Sequence, residues 1–199
     1  MRPNLRQIFG RIALVSLLLG PVVAEETAKS DLRIATFNLD NYLVMDRYVD
    51  GVWRPNYPKP EKEKAELRKV VLDVRPDILF LQEMGELAFL EEFRSDLSLF
   101  GLHYPYLIHM EGPDPTRHLS VLSMLPPSDV IKHRDLDFKY FDQRELVKRG
   151  MLEVTFELPD GEFFKAFGLH LKSRYTGNKE DPESQLRRTR EAEACRNRV

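Results

Sequence analysis

The sequence predicts an α/β protein with a mixed sheet. Three observations support this: an early strand, helix, strand succession over residues 32–83, a second helix after it, and a dominance of short strands from residue 104 onward. Leu32-Arg33-Ile34-Ala35-Thr36-Phe37-Asn38 alternates apolar and polar side chains, the period of a strand with one face covered. Residues 40–60 follow as a long loop rich in proline and aromatics. From Glu61, Leu67, Val70, Val71 and Val74 recur at helical spacing, which predicts an amphipathic helix that Pro76 stops.

Asp77-Ile78-Leu79-Phe80-Leu81-Gln82-Glu83 is an apolar run with a polar exit, the pattern of a strand buried on both faces. A second helix is predicted over 86–97, and strands over 104–110, 119–124 and 129–134. A further pair, 150–158 and 162–172, is joined by the turn signal Pro159-Asp160-Gly161. Asp181-Pro182-Glu183 opens a last helix.

The first 24 residues read as an address. Arg2, Arg6 and Arg11 form a basic start, Ile12 to Leu19 a short apolar run, and Val22-Val23-Ala24 a small-residue exit, so residues 1–24 are expected to be a signal peptide. The run is shorter than the roughly 20 apolar residues a membrane anchor needs, and no transmembrane anchor is expected elsewhere. The expected location is secreted or periplasmic, with one domain over 31–199.

Cleavage would remove three arginines and no acids, taking the formal net charge from −2 to −5. An acidic chain is poorly suited to sequence-blind adhesion to a polyanion, so a phosphate-bearing substrate would need local cations or a metal. Cys195 is the sole cysteine, which excludes an intramolecular disulfide and a cysteine-based zinc site. The sequence has no glycine-rich phosphate loop, no Gly-x-Ser-x-Gly elbow and no His-Glu-x-x-His helix, which removes several enzyme classes.

A crossover helix between two strands of one sheet makes them parallel, so Asn38 and Glu83 should leave their strands at the same sheet edge. His170 ends a third strand, and ligands of open α/β sheets bind beyond such ends. A half-sheltered Glu83 suits a magnesium ion, which takes one or two carboxylates and keeps its waters; a helix N-cap or a surface ion pair explains it too. Asn38 offers a neutral oxygen or a turn. His170 could hold a phosphoryl oxygen or be a core histidine. Lys172 and Arg174 add positive charge beside it, as would a solvated basic turn. The loop 133–150 carries further cations, Arg149 among them, that could line a phosphate groove, most of them read as surface.

These segments together resemble the endonuclease/exonuclease/phosphatase superfamily, whose members share the fold of pancreatic deoxyribonuclease. Ile34-Ala35-Thr36-Phe37-Asn38 is similar to the family's first strand, and Pro76-Asp77-Ile78-Leu79-Phe80-Leu81-Gln82-Glu83 to its metal-ligand strand. Leu119-Ser120-Val121-Leu122-Ser123 is similar to its central strand, and Gly168-Leu169-His170-Leu171-Lys172-Ser173 to its histidine strand. The resemblance implies a four-layer α/β/β/α sandwich and a metal-dependent phosphoester hydrolase of phosphodiesterase or nuclease type.

By position, Glu83 and Asn38 would serve a Mg2+ (or Mn2+ or Ca2+), His170 and Asn38 would be catalytic, and His170, Lys172 and Arg174 would hold phosphate. The partner would be a phosphoester substrate, whether nucleic acid, phospholipid head group or small phosphodiester, and no protein partner is expected. The family's later Gly-Asp-x-Asn and Ser-Asp-His motifs are missing. This leads us to expect a fold incomplete at its C-terminus, weak hydrolysis and an uncovered apolar sheet face. The alternative is a binding module that keeps the fold without catalysis.

Overall fold

The computed structural model describes residues 32–158 and 160–199. The expected signal peptide lies outside the described residues. β1 (Ile34–Tyr42) is followed by a hairpin, β2 (Met45–Val49) and β3 (Val52–Tyr57), then by α1 (Glu61–Val74), β4 (Ile78–Met84) and α2 (Leu87–Leu99). β5 (Tyr106–Met110), β6 (His118–Ser123), β7 (Pro127–His133), β8 (Asp137–Tyr140), β9 (Gln143–Leu146), β10 (Met151–Glu157) and β11 (Phe163–Leu169) come next. A single 3-10 turn (Pro182–Ser184) then leads into α3 (Gln185–Arg196).

Four strands form the first sheet in the order β1-β4-β6-β5, and three form the second in the order β11-β10-β7. β1 runs parallel to β4, with Ile34 opposite Ile78 and Asn38 opposite Gln82, as the crossover through α1 requires. β4 pairs antiparallel with β6, and β6 with β5, so the sheet is mixed. β4 is buried along both faces, which accounts for its unbroken apolar run.

One face of the first sheet packs Leu79, Leu81 and Leu122 against Val71 of α1 and Leu90, Phe93 and Leu97 of α2. The other face sets Ile78, Phe80, Ile108 and Val121 against Leu152, Val154 and Phe156 of β10. On the far face of β10, Met151 joins Phe138, Tyr140 and Val147 from the β8–β9 hairpin and Cys195 of α3. The chain is therefore a layered α/β sandwich. Beyond α3, the outer face of the second sheet carries a buried His133–Glu153 pair at 2.8 Å and Lys165 on the same carboxylate at 2.6 Å. The same face also exposes Ile131, Phe163 and Leu169, so it is a mixed surface rather than the continuous apolar patch the sequence led us to expect.

Two stretches expected as loops are hairpins. Residues 40–60 contain β2 and β3, turned by Asp50 and Gly51 at φ 52° and 78°. Residues 133–150 contain β8 and β9, with Phe141 at φ 51°. The α1 stripe is also rotated from expectation. Val71 is buried, but Val70 and Val74 are 46% and 48% exposed because α1 overhangs the edge strand β1. The buried face adds Lys64 and Arg68, which pair with Glu92 at 2.5 Å and Asp96 at 2.9 Å on α2.

Candidate functional site

Between Asn38 and Tyr42 the pairing of β1 with β4 is broken by a bulge. Leu39 and Tyr42 enter the core, while Asp40 and Asn41 take left-handed conformations at φ 47° and 60°. Asx residues tolerate that region because their side chains bond locally. Across the bulge Glu83 also sits at φ 60°, where a long side chain is strained. Backbone strain of this kind persists only where surrounding contacts fix it, and it concentrates at functional sites.

Those contacts are on the Glu83 carboxylate. Its Oε2 accepts the Asn41 peptide N–H at 2.9 Å, and its Oε1 accepts the Asn38 amide Nδ2 at 3.2 Å. His170 Nε2 stands 3.5 Å from the same Oε1. Asn38, Glu83 and His170 thus meet on one rim. Asn38 Oδ1 accepts the Asp40 N–H at 2.9 Å, which turns the NH2 group toward Glu83. Burial holds the His170 imidazole below its ordinary pKa; the Arg149 cation adds to this and Glu83 opposes it. His170 Nδ1 is buried with no hydrogen-bond partner among the described residues.

A second layer of charge surrounds this rim. Arg117 Nε donates to Asn41 Oδ1 at 2.8 Å, locking the bulge from the other side. Asp114 Oδ1 accepts the N–H groups of Thr116 at 3.0 Å and Arg117 at 3.1 Å, and its Oδ2 lies 3.3 Å from Arg149 Nε. Burial alone would raise the Asp114 carboxyl, but those N–H groups and Arg149 hold it below the usual carboxylate range.

The Asp114 loop is zipped to the β9–β10 connection by the Asp114 N–H on Lys148 O at 2.7 Å. It is also zipped by Gly112, where a Cβ would lie 2.7 Å from Arg149 O. A groove of about 570 Å3 lined by Glu86, Glu111, Asp114 and His118 borders this loop.

Lys172 and Arg174 are not in this network. The Lys172 ammonium bonds its own loop at Ser173 and Tyr175, and its peptide N–H donates to Glu191 at 2.7 Å. Arg174 is exposed. Sequence reasoning missed Asn41, Arg117 and Asp114, and it singled out Arg149 only as one of the 133–150 loop cations, most of them read as surface, whereas its side chain is 11% exposed. Arg117 directly precedes an apolar strand, and the only available signal was that position.

Among the described residues, no group of three or more His, Cys, Asp or Glu side chains converges on a point as a metal cluster. The donor set at Glu83 is one carboxylate with neutral neighbours. It fits a largely hydrated divalent ion such as Mg2+ rather than a fully ligated zinc.

Fold and rim together define a mixed α/β sandwich in which an amide and a carboxylate near the carboxyl ends of β1 and β4 in the first sheet meet an imidazole just past β11 of the second. No protein family model matches the chain, and no curated protein matches it by sequence. Among solved structures, the fold is similar to a β-hairpin deletion mutant of beta toxin from Staphylococcus aureus, with a TM-score of 0.50 and 14% identity. The match covers 84% of this chain and 59% of that one, so the chain spans less than two thirds of the protein it matches. The likeness shows the fold alone. Among the described residues, no helix is long and apolar enough to cross a membrane.

Proposed function

We propose that this chain is an exported, metal-dependent phosphoester hydrolase of the phosphodiesterase type, working at the rim formed by Asn38, Glu83 and His170. The observation that carries the reading is the meeting of the Asn38 amide and the His170 imidazole on the Glu83 carboxylate. Glu83 would hold a Mg2+, with Mn2+ or Ca2+ as substitutes. When bound, such an ion polarises a phosphoryl oxygen. Bulge contacts fix the carboxylate, so its position would cost no reorganisation on binding.

His170, kept neutral by burial and by Arg149, would present Nε2–H to a non-bridging oxygen. The Asn38 Nδ2, freed from Glu83, would orient a second oxygen. Arg117 and Arg149 would supply the local positive potential that the chain's overall charge does not. That charge favours a phospholipid head group or a small phosphodiester over polymeric nucleic acid. A secreted or periplasmic location belongs to the same proposal.

The test is Mn2+ titration by calorimetry, followed by titration of inorganic phosphate into the loaded protein. Glu83→Gln should abolish metal binding. His170→Gln should keep it and weaken phosphate at least about tenfold, the loss of one charge-directed hydrogen bond. Because no three-donor cluster is present among the described residues, a binding module without catalysis is the second reading. Metal affinity indifferent to Glu83→Gln would favour it and end the hydrolase reading.

A further inference from the structure

The β2–β3 hairpin carries an apolar tip that nothing in the site explains. Tyr48 is 72% exposed, Trp53 61% and Val52 53%; Tyr48 faces Trp53 across the strands on one face of the hairpin, and Val49 faces Val52 on the other, next to the turn. Single exposed apolar residues are ordinary, but here three large ones crowd one two-residue turn.

The hairpin is held firmly at its root. Arg47 donates to the carbonyls of Asn41 and Leu43 at the site bulge and to Tyr57 O at 3.3 Å, and Asp46 Oδ1 accepts the Asn56 N–H at 2.9 Å. The tip is therefore a rigid extension of the segment that also holds Glu83.

The charges of the hairpin decide what it suits. Asp46 and Asp50 balance Arg47 and Arg54. Both cations are engaged, Arg47 with backbone carbonyls and Arg54 over the Tyr57 ring at 5.2 Å. A stacking platform for single-stranded nucleic acid combines aromatics with a free cationic track, which this tip lacks. An anionic membrane likewise calls for a cluster of free Lys and Arg. Tyr and Trp with an apolar body and a polar handle, on an electrically balanced support, suit the head-group level of a zwitterionic bilayer.

We infer that the Tyr48–Val52–Trp53 tip docks on a zwitterionic lipid surface. Arg47 couples it to the Asn41–Glu83 bulge, so docking brings head groups to the rim; this last step rests on the phosphoester reading above, whereas the docking itself does not.

Trp53 is the only tryptophan in the chain, so its emission reports the tip alone. The experiment adds phosphatidylcholine or sphingomyelin vesicles to the full chain in EDTA. The expected result is a blue shift of Trp53 emission and quenching by lipids brominated near the head group. Tyr48→Ser and Trp53→Ser, read by vesicle co-sedimentation with circular dichroism as a folding control, should each bind at least about tenfold more weakly. Glu83→Gln should bind vesicles like the parent, which separates failure of docking from failure of the hydrolase reading.

Unchanged Trp53 emission overturns the inference, as does binding confined to anionic vesicles or undiminished sedimentation of both tip variants. Quenching by a single-stranded oligonucleotide without any vesicle response overturns it in favour of base stacking.

Discussion

The Asn41 peptide N–H donates to the Glu83 carboxylate at 2.9 Å, and both residues sit at φ 60°. Two left-handed conformations therefore face one another across adjacent parallel strands, each held by the other's polar group. For asparagine that conformation is cheap, but for glutamate it costs on the order of 1–2 kcal/mol. The strain yields a test that separates backbone from side chain. Glu83→Gly and Glu83→Ala both delete the carboxylate, yet only glycine relieves the positive φ. Glu83→Gly should be the more stable by about 1 kcal/mol, which is roughly 2–4 °C in Tm for a chain of this size. Equal melting temperatures would mean that residue 83 is unstrained.

The sequence reveals the apolar half of this arrangement and conceals the polar half. Four apolar residues in a row announce β4, and the crossover rule then makes β1 parallel to it. Asn38 and Glu83 consequently share an edge. The bulge at Asp40 and Asn41 is invisible in the pattern, because a bulge changes register without changing composition.

Arg117 reaches Asn41 from a distant loop, and no local period encodes that. Asp50-Gly51 between two valines was a readable hairpin signal, hidden by the prolines at positions 55, 58 and 60. The β8–β9 turn is different. It places Phe141 in the left-handed region with no glycine or asparagine to mark it.

Acid should loosen the protein through His109 and His118, whose rings meet edge to face at 5.1 Å on neighbouring strands. Burial pushes His109 down to about 4, with His118 adding to the effect, and burial also lowers His118 against the pull of Glu111. Both folded pKa values lie below the unfolded value. Above about pH 6.5 the pair costs nothing. As pH falls from there toward about 4, the unfolded chain takes up protons that the folded one refuses, and stability is lost. For His109 the loss is on the order of 2–3 kcal/mol at most. Urea melts at pH 7 and pH 4.5 should show that His109→Gln loses less stability than the parent over this interval. Parallel losses in both proteins would remove His109 from the account.

The α1–α2 seam holds Arg68, 9% exposed, against Asp96 at 2.9 Å. Arg68 also pairs with Glu61, and Asp96 is partly exposed, so losing Asp96 leaves the guanidinium with one partner. Asp96→Ala should destabilise by about 1 kcal/mol. Arg68→Met combined with Asp96→Ala should recover at least half of that. The readout is chemical denaturation of the two variants and the single Arg68→Met. Strict additivity would show that the pair is not coupled.

Gly112 offers a way to disturb the rim without touching it. A Cβ there would lie 2.7 Å from Arg149 O and 2.8 Å from its carbonyl carbon, both backbone atoms that cannot swing aside. Gly112→Ala must therefore push the 111–117 loop off the β9–β10 connection. The Asp114 N–H would leave Lys148 O, and Asp114 would loosen its hold on Arg149. Arg117, bonded to Asn41, moves with the same loop.

Overpacking of this kind costs about 1–3 kcal/mol in stability. The functional consequence should be selective. On the phosphoester reading, metal binding would rest on the Glu83 carboxylate, still held by the Asn41 N–H and touched by the loop only through Arg117, and should change less than about threefold. Phosphate affinity would rest on the two guanidinium groups and should fall at least about tenfold. Calorimetric titration of Mn2+ and then phosphate into Gly112→Ala separates these effects, and an equal loss of both would show that the arginines act on the carboxylate rather than on the anion.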